Sequence, residues 1–420
     1  MPLTSAQKDN LEQLLKEAVE GQLVPAVSFA VTDTEGVLYS RNLGNTVFDD
    51  PASKAVDDDS LFFYCSQSKL ITSIAILQLI EQGKLSLSTP ASQYIPELAN
   101  TVIATEYDPV TRKPTASKPN STPITVGHLL NHSSGLDYQM FLTYLTGPRA
   151  YLCDLYYHDY SKEEAGKEIE AFCRNVKGDM PGIPLKFEPG TDFAYSFGTN
   201  FVGFIVERVT GKSLEVYLKE HIFNPLGITS ISFYVDTPER KARLLPMTFR
   251  DLATGKLEAW SFPPLIDTDS ITLCLGGVGL YGTQHDYLTL LRHLLQIHAG
   301  KASNPILSKS SVESLLSPSL PDSALVAMGG MAQMMQSELN VPQGKAQFSL
   351  GMLVNTVDIP GHRRAGSGCW FGWANTMYMV DPTSGIAMVF GTQLVSIVDA
   401  EFQKASERLE KAVYQLLVET

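Results

Sequence analysis

Patterns of β-forming residues stand at both ends of this chain and helical patterns fill its middle, and no other feature limits the fold as much. Near the start, Ala26 to Thr32 and Val37 to Ser40 flank the turn Asp33-Thr34-Glu35-Gly36, a hairpin signal. Near the end, Ala346 to Asn355, Thr376 to Val380 and Gly385 to Thr392 read as strands. Layered packing then predicts an α/β domain assembled from both termini, residues 1–85 and 345–420, with a mostly helical domain over 86–344 and an active-site cleft at the junction.

Helices are expected in several places. The polar start through Gly21 reads as amphipathic, and residues 397–418 close the chain as a long helix. Between Ser66 and Gln82, the spacing of Leu70, Ile74, Leu77 and Ile80 gives an apolar stripe that ends at Gly83. Residues 85–125 carry prolines at 90, 96, 109, 114, 119 and 123 and read as loop with a short helix, after which Thr125 caps a helix through Leu130. Residues 138–188 read as aromatic and irregular, and helices follow at about Thr199–Val209 and Ser213–His221.

Composition excludes several classes. With 44% hydrophobic residues the chain buries a large core, which excludes disorder. A formal charge of −13 and no Lys/Arg-rich cluster argue against nucleic acid as a partner. No apolar run reaches the roughly 18 to 20 residues that span a bilayer, so no membrane partner is expected. The N-terminal stretch lacks the basic and apolar regions of a secretory signal. Five scattered cysteines, Cys65, Cys153, Cys173, Cys274 and Cys369, without CxxC spacing, fit reduced thiols in a cytoplasmic protein.

The chemistry concentrates in three places. Ser66 and Lys69 form S-x-x-K at the start of the helix expected from Ser66. Residues three apart share a helix face, and a lysine with a depressed pKa can activate a serine. Alone this is a weak signal, since chance produces it about once or twice in such a chain and Ser5 with Lys8 matches it too. Taken alone, Ser66 reads as an N-cap serine beside a solvated lysine. The second place is Tyr195, which the turn at Pro189-Gly190 delivers just before a new helix. The third is the glycine-rich run Ala365 to Asn375, where backbone can approach a ligand closely and supply an oxyanion N–H to join that of Ser66; a bulge or tight turn explains the run equally well.

Together these elements resemble the serine β-lactamase and penicillin-binding-protein superfamily, with S-x-x-K, a Tyr-Ser-x element and a K-T-G-like strand. Ile124 to Leu136, Asn224 to Thr229, Gly276 to Thr283 and Asp381 to Gly385 resemble segments of its class C-like branch, in the same order. Within it the chain is most similar to family VIII-type carboxylesterases and to fungal polyketide transesterases of the lovastatin side-chain acyltransferase type. The resemblance implies a β-lactamase-like α/β fold, an antiparallel sheet flanked by helices, with no metal and no organic cofactor. Two departures matter. Phe197 stands where penicillin-recognising members have asparagine, and no lysine lies between Gly361 and Met379, which leaves Arg363 or Arg364 as the only nearby cations and disfavours β-lactamase activity. Either Ser367-Gly368-Cys369 or Trp370-Phe371-Gly372 fills the K-T-G slot.

The expected function is acyl transfer from a thioester, through a Ser66 acyl-enzyme, to a hydroxyl of a bulky apolar natural product, with an acyl-carrier protein as a further partner. Lys69 activates Ser66, Tyr195 shuttles the proton, and backbone N–H groups at Ser66 and near Trp373 hold the oxyanion. Trp370, Gly372, Trp373, Phe197 and Ser367 are the expected substrate contacts. Six tyrosines between Tyr138 and Tyr160 and four methionines between Met328 and Met335 are expected to shape an apolar pocket. An esterase using the same residues is the alternative, and a catalytically silent binding protein of the same fold a remoter one. His128 and His132, four apart, lack a third ligand and read as structural. His285 reads as a helix-start residue and Asp57-Asp58-Asp59 as a solvated loop.

Overall fold

The computed structural model describes residues 3–144, 152–261, 268, 271–334, 344–395 and 399–418. Helix α1 (Ser5–Glu20) starts at Thr4, whose hydroxyl accepts from Gln7 N–H while the Gln7 side chain accepts from Thr4 N–H, and its inner face buries Leu11, Leu15 and Ala18. The expected hairpin follows as β1 (Val27–Thr32) and β2 (Val37–Leu43). Its turn is held by Asp33 Oδ1, which accepts from the backbone N–H of Glu35 at 2.7 Å and of Gly36 at 2.9 Å.

The late strands are β3 (Ala346–Phe348), β4 (Leu353–Asn355), β5 (Gly368–Phe371), β6 (Met377–Asp381) and β7 (Ile386–Gly391). They join the hairpin in one seven-stranded sheet of order β3-β4-β5-β6-β7-β1-β2, with every neighbour antiparallel. Central strand β1 is buried along all six residues, as expected for a strand covered on both faces. Successive residues of β6 show what covers it. Tyr378 meets Tyr287 of the helix Gln284–His298, ring centroids 5.3 Å apart, while the Met379 sulfur accepts from the Tyr414 hydroxyl, 3.4 Å away, of the closing helix Ala400–Val418. Since neighbouring strand side chains point to opposite faces, these two helices lie on opposite sides of the sheet. The helix Gln284–His298 thus packs on the sheet although it lies in the 86–344 stretch expected to form the second domain.

Two parts of the middle differ from expectation. Residues 85–125 are not only loop: Thr101–Tyr107 pairs antiparallel with Pro114–Pro119, and Ile183–Leu185 adds a parallel third strand. Pro114 and Pro119 sit at the two ends of an outer strand, where a missing N–H costs little. The aromatic stretch also contains a ten-residue helix, Glu168–Lys177, with acidic residues in its first turn and basic ones in its last. The helix expected over Ser66–Gln82 runs from Ser68 to Glu81 and is buried on every side except near its end. Among the described residues, no helix is long and apolar enough to cross a membrane, and all five cysteines are buried and outside any disulfide.

The sheet and the closing helix are locked by a buried ion pair. Arg363 Nε and Nη2 donate to the two Glu410 carboxylate oxygens at 2.9 and 2.8 Å. Burial alone would raise the Glu410 carboxyl, but the Arg363 guanidinium outweighs it and holds the group at about 2. Glu410→Gln leaves the guanidinium buried without its counter-charge, which is expected to cost about 3–5 kcal/mol, read as a fall in the urea unfolding midpoint at pH 7. The folded carboxyl titrates below its ordinary 4.5, so this contribution is complete above about pH 4.5 and is lost as pH falls toward 2. The gap between wild type and variant should close over that window, and a constant gap would show that the pair is not its source.

Candidate active site

Ser66 sits in a single 3-10 turn, Cys65–Gln67, that leads directly into the buried helix beginning at Ser68. Cys65 enters this turn at φ +46°, a left-handed conformation that costs a non-glycine residue on the order of 1 kcal/mol. Tyr64 fixes the approach from three directions. Its N–H donates to Leu280 O at 3.0 Å, its hydroxyl donates to Thr283 O, and its carbonyl accepts from Thr376 Oγ1 at 3.4 Å.

Lys69, one residue into the helix, places Nζ 3.1 Å from Ser66 Oγ and 2.9 Å from Gly277 O, with the Tyr138 hydroxyl oxygen 3.5 Å away. The amine also lies 4.9 Å from the centre of the Tyr195 ring. Among the described residues no carboxylate pairs with it. Burial therefore pulls the amine down to about 7, against a weaker opposing influence from the Cys65 and Cys153 thiols. A lysine at that value is uncharged in a large fraction of molecules at neutral pH and can accept the Ser66 proton.

Tyr195 arrives on the segment between Gly190 and the helix Gly198–Thr210. Burial pushes its phenol up, offset in part by hydrogen bonding to Ser66 and Trp370. The Trp370 indole N–H donates to the phenol oxygen at 3.0 Å, and the two rings lie 4.9 Å apart. His132 holds the other side. Its Nδ1 accepts from Ser196 N–H at 3.2 Å, and its ring meets Tyr195 edge-on at 4.7 Å. The structure thus brings Ser66, Lys69 and Tyr195 together around one point.

The other expected contacts divide. Gly372 follows strand β5 against the turn that carries Ser66, where a Cβ would lie 2.4 Å from Tyr64 O, so only glycine allows this approach. The next residue, Trp373, presents its backbone N–H to the Cys65 sulfur. Trp370 is buried, with its indole N–H on the Tyr195 phenol. Phe197 and Ser367 are not pocket surface. Phe197 is fully buried, its ring packed against Tyr138, Phe141, Phe172 and Phe201 at 5.3 to 6.2 Å, and so forms the wall behind Tyr138. Ser367 is also fully buried and donates to Arg364 O at 2.7 Å within the turn before β5. Trp370-Phe371-Gly372 is accordingly the stretch beside Tyr195 and Ser66. Neither nearby arginine is spare: Arg363 is held by Glu410, and Arg364 Nη1 donates to Asp358 at 3.0 Å.

His128 caps its own helix, Nδ1 accepting from Thr125 N–H at 3.3 Å, and His285 is the second residue of a helix capped by Thr283. Asp57 accepts from Ser60 Oγ at 3.0 Å and pairs with Lys54, so the acidic triplet is a folded loop. Residue-type reasoning passed over Tyr138, Asn200 and Gly277 individually. Tyr138 stood out only as one tyrosine among six, and nothing in the sequence signals which phenol meets the lysine. Of the methionines expected in the pocket, Met328 is fully buried in the helix Leu325–Met334, and Met335 lies outside the described residues.

Residues 11–410 match the β-lactamase family model. Among curated proteins, the chain is 27% identical to lovastatin esterase of Penicillium rubens over 400 residues, 93% of this chain and 94% of that protein. It is also 27% identical to monacolin J acid methylbutanoyltransferase of Aspergillus terreus over 424 residues, 96% of this chain and 95% of that one. Among solved structures, unliganded simvastatin synthase of Aspergillus terreus superposes with a TM-score of 0.78 at 24% identity, covering 98% of both chains. A class C β-lactamase does so at 0.63 and 15%, covering 97% of this chain and 96% of that one.

The Lys69 geometry generates a rate prediction. Labelling of Ser66 by a fluorophosphonate should accelerate as pH rises through about 7, because only the uncharged amine accepts the proton. Lys69→Arg, which stays protonated, should slow labelling by about 10² or more across that range. A rate that is flat with pH would exclude Lys69 as the base.

Proposed function

Since the chain belongs to the β-lactamase family, we propose that it is a serine acyltransferase that carries an acyl group on Ser66 from a thioester to a hydroxyl acceptor. The observation that supports this most directly is the buried Lys69 amine 3.1 Å from Ser66 Oγ, drawn down to about 7 by burial, with Tyr195 against the same oxygen. Ser66 Oγ attacks the thioester carbonyl carbon as its proton passes to Lys69 Nζ. The negative charge on the carbonyl oxygen meets the backbone N–H of Ser66, with the Trp373 N–H, which faces the Cys65 sulfur at rest, turning to it as the second donor. Collapse breaks the carbon–sulfur bond, and the departing thiolate takes the proton through the Tyr195 phenol. In the second half, Tyr195 and Lys69 remove the acceptor's hydroxyl proton, the new ester forms, and Ser66 recovers its hydrogen.

The donor and acceptor are small molecules by this reading: a short acyl thioester, free or on an acyl-carrier protein, and a bulky, largely apolar alcohol. Two relatives of equal identity carry names for opposite outcomes, an esterase of lovastatin and a methylbutanoyltransferase acting on monacolin J acid. Hydrolysis is therefore the second reading. Both begin with the same acyl-enzyme and part at the step where water or an alcohol attacks.

Partition decides between them. A preformed Ser66 acyl-enzyme, followed by intact mass, should yield ester over free acid when a polyketide-like alcohol is added at sub-millimolar concentration. A ten- to hundredfold preference over a small alcohol corresponds to about 1.4–2.8 kcal/mol of extra binding. Free acid with every such alcohol, together with fast hydrolysis of simple esters, would establish the esterase instead.

β-Lactams should be poor substrates. The Phe197 ring is packed away where an amide partner is needed, and Arg363 and Arg364 are both held by carboxylates. Efficient turnover of a chromogenic cephalosporin would contradict this.

A further inference from the structure

His132 grips the chain on both sides of Tyr195. Its carbonyl accepts from Ala194 N–H at 3.0 Å, and its Nδ1 accepts from Ser196 N–H at 3.2 Å. The Ser196 hydroxyl oxygen also lies 3.2 Å from Nδ1 and accepts from the N–H of Gly198, where the next helix begins. Ser133 continues the contact, its carbonyl accepting from Gly190 N–H at 2.8 Å. The backbone of His132 stands at φ +63°, a left-handed conformation that costs a non-glycine residue on the order of 1 kcal/mol. A strained, fully enclosed histidine thus faces the segment that delivers the phenol.

The Ser196 N–H settles where the imidazole carries its hydrogen. A backbone N–H only donates, so Nδ1 is bare and the neutral ring is protonated at Nε2. Burial holds the group well below its ordinary 6.5, and the Lys69 charge pushes the same way. Nε2 itself is buried and has no hydrogen-bond partner among the described residues. The ring stands edge-on to Tyr195, Phe348 and Phe193, with centroids 4.7, 4.8 and 6.2 Å apart. Among the described residues, Nδ1 therefore carries the hydrogen bonding of this side chain, and it does so on the residue directly after Tyr195.

We propose that His132 is a positioning residue for Tyr195: with its carbonyl on Ala194 and its bare Nδ1 on Ser196, it fixes the phenol at Ser66 and so governs the proton steps that pass through Tyr195, without touching substrate. The inference rests on the reading of Tyr195 as the proton shuttle. The phenol lies at the far end of a side chain whose backbone is set by these two N–H groups, and the Trp370 indole holds its oxygen at 3.0 Å. Without the grip on Ser196 the hydroxyl drifts, and a misplacement of about 1 Å costs on the order of 10² in rate. Attack by Ser66 on a reagent whose leaving group departs without a proton depends on Lys69 and is spared.

The test separates the two kinds of step. Thiol release from the butanoyl thioester of N-acetylcysteamine needs the Tyr195 steps, whereas fluorophosphonate labelling of Ser66 expels fluoride without a proton from Tyr195. Both are followed in wild type, His132→Leu, His132→Asn, Tyr195→Phe and the double variant His132→Leu with Tyr195→Phe. His132→Leu has no acceptor for Ser196 and should slow thiol release by about 10², while labelling falls by no more than a few fold. Asparagine tolerates the left-handed backbone and carries its amide oxygen near the place of Nδ1, so His132→Asn should recover most of the lost rate. In the double variant, His132→Leu should add little to the loss caused by Tyr195→Phe. Parallel loss of labelling and turnover, a full further loss in the double variant, or a His132→Asn no faster than His132→Leu overturns the positioning role. If His132→Leu does not fold, His132→Gln takes its place in each comparison, because its amide oxygen reaches the position of Nε2 and leaves Ser196 unheld. Failure of the Tyr195 reading looks different: Tyr195→Phe would release thiol as fast as wild type, or wild type would release none, and the role of His132 would fall with it.

Discussion

An amine buried with no counter-charge among the described residues is the feature around which this molecule is organised. Removing a lysine head group from water disfavours its ammonium form by several kcal/mol, so burial at the helix start draws Lys69 down to about 7 and opens the neutral form near neutral pH. The surrounding groups suit a neutral amine. A carbonyl takes one hydrogen, a serine hydroxyl lies at 3.1 Å, and tyrosine rings replace the carboxylate that would otherwise settle there. A carboxylate in the same place would make a stable ion pair and leave the serine without a base.

The rest of the architecture supplies rigidity at that point. A glycine directly after strand β5 of the seven-stranded sheet is pressed against Tyr64, so sheet and nucleophile turn cannot move independently. Further back, Arg363 in the turn before β5 is clamped to the closing helix by Glu410. On the helical side, Phe197 and its neighbours form an aromatic wall behind Tyr138, and His132 steadies the segment that carries Tyr195. Aromatic side chains suit this work because they fill large volumes with little rotamer freedom to lose. Ser66, Lys69 and Tyr195 are thus held from both the sheet side and the helical side, and preorganisation of this kind is what acyl transfer requires.

Under the proposed mechanism, transfer and hydrolysis place the same demands on Ser66, Lys69 and Tyr195, which fits the equal likeness of this chain to proteins named for opposite outcomes. What separates them is how long water is excluded from the acyl-enzyme and how well an alcohol fills the space. In the proposed mechanism those properties belong to the residues around the reacting groups rather than to Ser66, Lys69 and Tyr195 themselves.

The sequence by itself determined the local and periodic features. The hairpin around Asp33 to Gly36, the cap at Thr125, the apolar stripe of the helix after Ser66 and the terminal location of the strands all follow from patterns a few residues long, because short-range sterics and capping bonds set them. The spacing of Ser66 and Lys69 is a helical property and was legible for the same reason. The tertiary structure alone decided what depends on contacts between distant segments. Nothing local distinguishes Tyr138 from the tyrosines near it, marks Asn200 as the partner of Gly277, or shows that Phe197 and Ser367 face inward. The strand pair Thr101–Tyr107 with Pro114–Pro119 was hidden because its prolines read as breakers until the edge position made them harmless. The Lys69 amine is depressed by a burial that residues at 138, 195 and 277 create together, and desolvation is a property of the assembled volume, which no window of sequence contains.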